Sequence, residues 1–167
     1  MISLSKNTVK QLEKDLKEVE EKMHEIIQED PTLKRLFTVT TSVGGIGPVT
    51  AIAIMITTNE FKNIHKAQQY ACYAGIAPFE HASGTSIRGR TKVSHKANKT
   101  VKKLLHLAAL TAIRYNDDMK NYYDRKVEQG KNKMLVINAV RNKLIHRIFA
   151  CVKQNRTYEK NYQKILG

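Results

Sequence analysis

The chain has 167 residues and a formal charge of +14, with 29 Lys and Arg against 15 Asp and Glu. That length holds one domain with a real core plus a short appendage, and the charge favours a nucleic acid over small acidic substrates. No apolar run reaches transmembrane length and no signal-peptide pattern is present, so a cytoplasmic protein without membrane contact is expected. Cys72 and Cys151 lie far apart, with no Cys-x-x-Cys or Cys/His spacing, which disfavours structural zinc and leaves two free thiols.

Charge is unevenly distributed. Residues 1–30 carry eight acids and five bases, a net −3; residues 31–167 carry the remaining 24 bases and seven acids, a net +17. Residues 5–29 predict a long charged helix. Its apolar positions Val9, Leu12, Leu16, Val19, Met23 and Ile26 advance by steps of 3, 4, 3, 4 and 3, a heptad seam. Such a seam needs a partner, either another helix of the chain or a second subunit, and a homo-oligomer through residues 5–29 is expected. Asp30-Pro31 stops the helix.

Leu33, Leu36, Phe37 and Val39 predict a short second helix. Gly45-Ile46-Gly47 then reads as a tight hairpin, with Pro48 at the first position of a buried helix through Ala51, Ile52, Ile54 and Met55. This resembles a helix–hairpin–helix, in which Gly45 and Gly47 and the following helix start would offer N–H groups to a DNA phosphate. A purely structural helical hairpin is the alternative. Residues 64–74 predict a short amphipathic helix closed by Gly75, and two short strands are expected around Phe79 and Ile87.

Residues 81–103 are the most distinctive stretch. They hold Ser83, Ser86 and Ser94, Gly84 and Gly89, and seven cations: Arg88, Arg90, Lys92, Lys96, Lys99, Lys102 and Lys103. No acid occurs between Glu80 and Asp117. Glycines beside unopposed cations suit a phosphate-rich polymer, whose condensed counterions such cations displace. A solvated basic loop is the plain alternative. A helix over residues 96–115 presents Val101, Leu104, Leu105, Ala108, Ala109, Ala112 and Ile113 on one face, another spans 117–129, and the last covers 132–155. That last helix directs Leu135, Val136, Ala139, Val140, Leu144, Ile148 and Val152 inward, and the cations Lys131, Lys133, Arg141, Lys143, Arg147, Lys153 and Arg156 meet no acid between Glu128 and Glu159. Residues 157–167 read as a loosely held tail.

The carboxylates of the basic body are too few and scattered for a self-contained two-metal nuclease, and no metal site or cofactor is expected in this chain. A serine nucleophile remains, with Arg88 and Arg90 as bidentate phosphate ligands and His81 as a conceivable base; each serine, and His81, also reads as a plain loop residue.

The order of Gly-Ile-Gly-Pro-Val-Thr-Ala, Tyr-Ala-Gly-Ile-Ala-Pro at 73–78, His-Ala-Ser-Gly-Thr-Ser-Ile-Arg-Gly-Arg at 81–90, Arg-Tyr-Asn at 114–116 and Tyr-Tyr at 122–123 resembles one family. It is similar to the C-terminal domain of bridge-RNA-guided insertion-sequence transposases of the one-hundred-and-ten type, related to the Piv DNA invertases, over roughly residues 8–155. The resemblance implies a preceding RuvC-like domain with four acidic ligands for a divalent metal, and a serine that bonds covalently to DNA. By position that serine is Ser83, with Ser86 the runner-up. It also implies DNA, and a guide RNA, as partners. The acidic domain is missing from the sequence, so a fragment or remnant inactive by itself is expected. The family's Ser-Lys-Arg-Gly-Asn step reads Ser94-His95-Lys96-Ala97-Asn98 here.

The expected architecture is mostly α: a coiled-coil helix at 1–30 protruding from a compact helical domain at 31–156, with a helix–hairpin–helix-like motif and a basic loop, then a tail at 157–167. The expected function is the DNA-binding and serine-nucleophile domain of a transposase. The rivals are a nucleic-acid-binding module without chemistry, which needs the cations but not Ser83, and a coiled-coil dimerisation fragment, which needs neither.

Overall fold

Asp30 and Pro31 punctuate the start of the chain. α1 (Ile2–Glu29) ends there because proline disfavours helical geometry in the residue before it. Asp30 then caps α2 (Pro31–Thr41): its Oδ1 accepts from Thr32 N at 2.7 Å and Leu33 N at 3.0 Å, with Pro31 at the first helical position. The computed structural model describes residues 2–77, the strands at 82–83 and 87–88, and residues 97–160; for 2–4, 82–83 and 87–88 it describes the backbone alone. The chain divides into two compact units, Met1–Arg35 and Leu36–Gly167.

In the first unit, α1 spans about 42 Å at helical rise. Its exposed face carries the spaced pairs Lys14–Glu18, Lys17–Glu21 and Lys22–Glu25. The seam residues Val9, Leu12, Leu16, Val19, Met23 and Ile26 are all exposed in the single chain.

Among the described residues the second unit is helical apart from turns and one short ladder, in agreement with the mostly α expectation. Its core gathers Val39 and Val43 from the end of α2 and the turn after it, Ala51 and Ile54 from α3 (Pro48–Thr58), and Tyr70 from α4 (Ala67–Tyr73). Val101, Leu105, Ala108 and Ala112 follow from α5 (Lys99–Tyr115), Met119 from α6 (Asp117–Glu128), and Val140, Leu144, Ile145 and Ile148 from α7 (Lys133–Lys153). Alanines on the inward face of α5 let neighbouring backbone approach closely. Asn98, Asn116 and Asn132 cap α5, α6 and α7, each accepting from an N–H of the first turn. β1 (Ala82–Ser83) and β2 (Ile87–Arg88) pair antiparallel, Ala82 with Arg88 and Ser83 with Ile87, so the first strand lies nearer Ser83 than Phe79.

Two expectations change, at α7 and in the tail. Leu135 is 68% exposed, while Ile137, Ile145 and Phe149 are buried, because the inward stripe of α7 is rotated relative to the expected one. Arg141, one of the cations of α7, is only 6% exposed. Residues 157–160 are tied down: Tyr158 N donates to Ser42 Oγ (2.8 Å), the Arg147 guanidinium lies 4.8 Å over the Tyr158 ring, and Lys160 reaches Asp117 and Asp118 (3.8 and 3.6 Å).

α3 closes in an uncommon way. Asn59, Glu60 and Phe61 take φ of 49°, 56° and 64°, a left-handed run of non-glycine residues that costs about 1–2 kcal/mol each. The bonds Glu60 N to Met55 O (2.8 Å) and Phe61 N to Thr58 Oγ1 (3.1 Å) hold it, and the Phe61 ring meets Phe149 edge-on at 5.1 Å.

Candidate nucleic-acid interface

The basic loop leaves and re-enters the helical body on fixed footings. At its start Ile76 is buried, and its carbonyl accepts from Asn138 Nδ2 of α7 at 3.0 Å. At its end Asn98 bonds in several directions, its carbonyl also accepting from Lys102 N at 3.0 Å. Its N–H donates to Tyr73 O (2.9 Å), its Nδ2 donates to Tyr73 Oη (2.8 Å), and its Oδ1 accepts from Val101 N (3.0 Å). One asparagine thus starts α5 and staples it to the end of α4. Tyr73 is braced in turn by stacking on Tyr70 at 5.7 Å. Tyr70 is fully buried with its hydroxyl 2.9 Å from Thr57 Oγ1, and burial pushes its pKa up to about 12.

Of the expected contacts, Ser83 and Arg88 lie one rung apart in the ladder, joined across residues 84–86. Their side chains, and Ser86, Arg90, Lys92 and Lys96 with His81 and Ser94, lie outside the described residues. Lys99, Lys102 and Lys103 occupy the start of α5, Lys99 and Lys103 exposed and Lys102 half-buried.

The two hairpin glycines separate physically. Gly45 has φ +98°, and a Cβ there would meet Ala108 O and Ala112 Cβ, each at 2.7 Å; this glycine seats the turn on α5. A Cβ on Gly44 would meet Asn116 Nδ2 at 2.9 Å. Gly47 is exposed, with φ −86°, no atom within 4 Å of its would-be Cβ, and no side-chain cap on α3. Only Gly47 combines open space with a bare helix start. From Lys99 to Ala112 is about 20 Å along α5 at helical rise, so hairpin and loop footing lie apart on one helix.

Beside the loop footing an open cavity of about 610 Å³ is lined by Lys102, Asn132, Met134, Leu135, Asn138 and Arg141, among others. Arg141 Nη2 lies 2.7 Å from His106 Nδ1. Arginine only donates, so Nδ1 accepts and the imidazole proton sits on Nε2. Burial, and secondarily Arg141, hold His106 below the usual histidine range. A second basic surface lies between α6 and α7, where Lys143 and Arg125 stand 4.5 and 6.0 Å over the Tyr122 ring. Among the described residues, no three His, Cys, Asp or Glu converge as metal ligands, and no helix is long and apolar enough to cross a membrane.

Sequence reasoning missed the Arg141–His106–Asn138 group. The available signal was Arg141 itself, placed four residues after Ile137 and three before Leu144 on the stripe that is in fact inward. It also missed the Tyr73–Asn98 staple, which has no short-range pattern.

Residues 38–124 match the family model described as the IS116/IS110/IS902 family of transposases. The chain is similar to the pilin gene-inverting protein of Moraxella bovis, 23% identical over 159 residues, covering 95% of this chain and 49% of that protein. It is also similar to the 43.6 kDa protein of insertion element IS110 from Streptomyces coelicolor, 30% identical over 121 residues, covering 72% of this chain and 30% of that protein. The 42 kDa protein of insertion element IS900 from Mycobacterium paratuberculosis is 25% identical over 118 residues, 70% of this chain and 29% of that protein. The chain therefore spans half or less of the length of these relatives. With a family match across just over half its residues, loop and flanking helices included, the chain belongs to the IS116/IS110/IS902 family of transposases.

Proposed function

We propose that this chain is the DNA-binding and serine-nucleophile part of a transposase or DNA invertase, with Ser83 as nucleophile and Ser86 as the alternative. The observation that carries the reading is the family match over residues 38–124, which encloses a cation-rich, acid-free loop held at both ends by the helical body. In the proposed step Ser83 Oγ bonds to a DNA phosphorus, the bond from phosphorus to a deoxyribose oxygen breaks, and the hydroxyl proton is lost to a base or water. Arg88 and Arg90 neutralise the developing phosphorane charge, while Lys92, Lys96, Lys99, Lys102, Lys103 and the exposed start of α3 at Gly47 position the duplex. The divalent-metal ligands that the resemblance implies belong to a RuvC-like domain, and this chain's residues in the proposed step supply the nucleophile and the cations.

The exposed heptad seam of α1 supports self-association with a second copy, and a guide RNA and a cytoplasmic, DNA-associated location belong to the same reading. Two measurements test it. The chain alone should bind DNA with an affinity that falls steeply between about 50 and 200 mM salt, and a flat dependence would remove the phosphate contacts. Joined to a family metal-binding domain and its guide RNA, it should form a covalent DNA adduct that Ser83→Ala abolishes without weakening binding. An adduct surviving separately in Ser83→Ala, Ser86→Ala and Ser94→Ala would sink the serine reading.

A further inference from the structure

We propose that the cavity between the starts of α5 and α7 is a phosphate site, with Arg141 and Lys102 as its cationic ligands, taking a backbone phosphate of the nucleic acid at the footing of the basic loop. The inference deepens the DNA-binding reading and rests on it for the source of the phosphate.

Arg141 is the unusual group. It sits mid-helix, 6% exposed, and no described carboxylate pairs with it. A buried charge is ordinarily paired, because desolvation without a partner is expensive. Its nearest hydrogen-bond partner is a neutral imidazole nitrogen, His106 Nδ1 at 2.7 Å, and its second is Asn138 Oδ1 at a long 3.4 Å. A guanidinium has five N–H donors, and these two bonds use two of them. Nε is buried with no partner at all. The charge is thus held in place by acceptors that leave it uncompensated.

The rest of the site is consistent with an anion filling that deficit. Lys102, on the second turn of α5, lines the same cavity and has no described acid partner. Asn138 bonds Ile76 O at 3.0 Å, which ties the cavity wall to the loop's entry. Asn132 caps α7 with its Oδ1 on Met134 N at 2.9 Å. The exposed side chains of Met134 and Leu135 form an apolar rim, a surface that a deoxyribose can cover. A volume of about 610 Å³ admits a nucleotide unit. Burial holds Arg141 below its usual value, which an incoming dianion or phosphodiester would reverse.

The Arg141 Nε–H resonance and the His106 ring resonances of the 167-residue chain report on the site directly. Pyrophosphate and a short DNA duplex should each shift both. Lys102→Gln should weaken pyrophosphate binding about tenfold, as loss of one charge-assisted contact does, while Lys120→Gln, at an exposed position of α6, should not. Arg141→Gln should abolish the response, with circular dichroism reporting whether it folds; Lys102→Gln keeps the test standing if it does not. Absence of any shift with pyrophosphate and DNA alike overturns the site. Shifts with pyrophosphate, but DNA binding that leaves these resonances unmoved, overturn the nucleic-acid assignment and point to a free phosphate ligand. Steep salt-dependent DNA binding that is identical in Lys102→Gln, with both resonances still, sinks the pocket and leaves the proposed function intact.

Discussion

Replacing Gly45 with alanine should destabilise the helical unit, whereas the same change at Gly47 should not. At Gly45 two costs coincide. The φ of +98° is unfavourable for any L side chain, at about 1–2 kcal/mol. The new Cβ would also stand 2.7 Å from both Ala108 O and Ala112 Cβ, backbone and core methyl that can yield only by moving the turn off α5, which adds about 1–3 kcal/mol of overpacking. The expected loss is therefore about 2–5 kcal/mol, or a melting temperature lower by roughly 5–15 °C for a chain of this size. At Gly47 the φ is −86° and nothing lies within 4 Å, so alanine should be neutral or stabilising by up to about 1 kcal/mol through the unfolded state. Urea unfolding followed by helical ellipticity at 222 nm gives both values. Equal stabilities within about 0.5 kcal/mol would refute the assignment of Gly45 as the seat of the turn. DNA affinity adds a crossed readout: if α3's start touches a phosphate, Gly47→Ala should lower affinity while leaving stability unchanged.

Leu12→Lys with Leu16→Lys should convert any self-associated species to monomer without loss of helix, and sedimentation showing an unchanged oligomer would place the interface off the heptad seam. Stability should fall as pH drops through the region near 6.5 and below. His106 is held below its unfolded pKa, so the unfolded chain binds the proton first and the stabilisation present above that pKa is lost on acidification; His106→Gln should flatten this dependence. Under native conditions an aromatic disulfide reagent should label half-buried Cys72 well before Cys151, whose thiol is buried and pushed up in pKa; equal rates would contradict that burial.

Helix identities were legible from local signals. Asp30-Pro31, the alternation of α1 and the apolar face of α5 each encode their element within a few residues, and the observed bounds differ from the expected ones by only a few positions. The exact stripe of α7 was harder, because that helix is apolar over much of its circumference and several apolar stripes compete. Long-range polar contacts were not legible at all. Asn138 reaches Ile76 across 62 positions and Tyr158 reaches Ser42 across 116, and nothing in composition or periodicity pairs such residues. At the candidate site, cation richness was visible in sequence, but the difference between Gly45 and Gly47 depended on which backbone each one faces.

The staples on either side of the basic loop give the region a modular character. Residues 78–96 are bounded by Ile76, bonded to α7, and by Asn98, bonded to Tyr73 and to α5's own first turn. Neither anchor draws on a residue between them. Exchanging residues 78–96 therefore leaves both footings with all of these bonding partners. A chimaera carrying another relative's segment on this body should keep the Asn98–Tyr73 and Asn138–Ile76 bonds. The footings of this segment and the residues that fill it can thus change independently of one another.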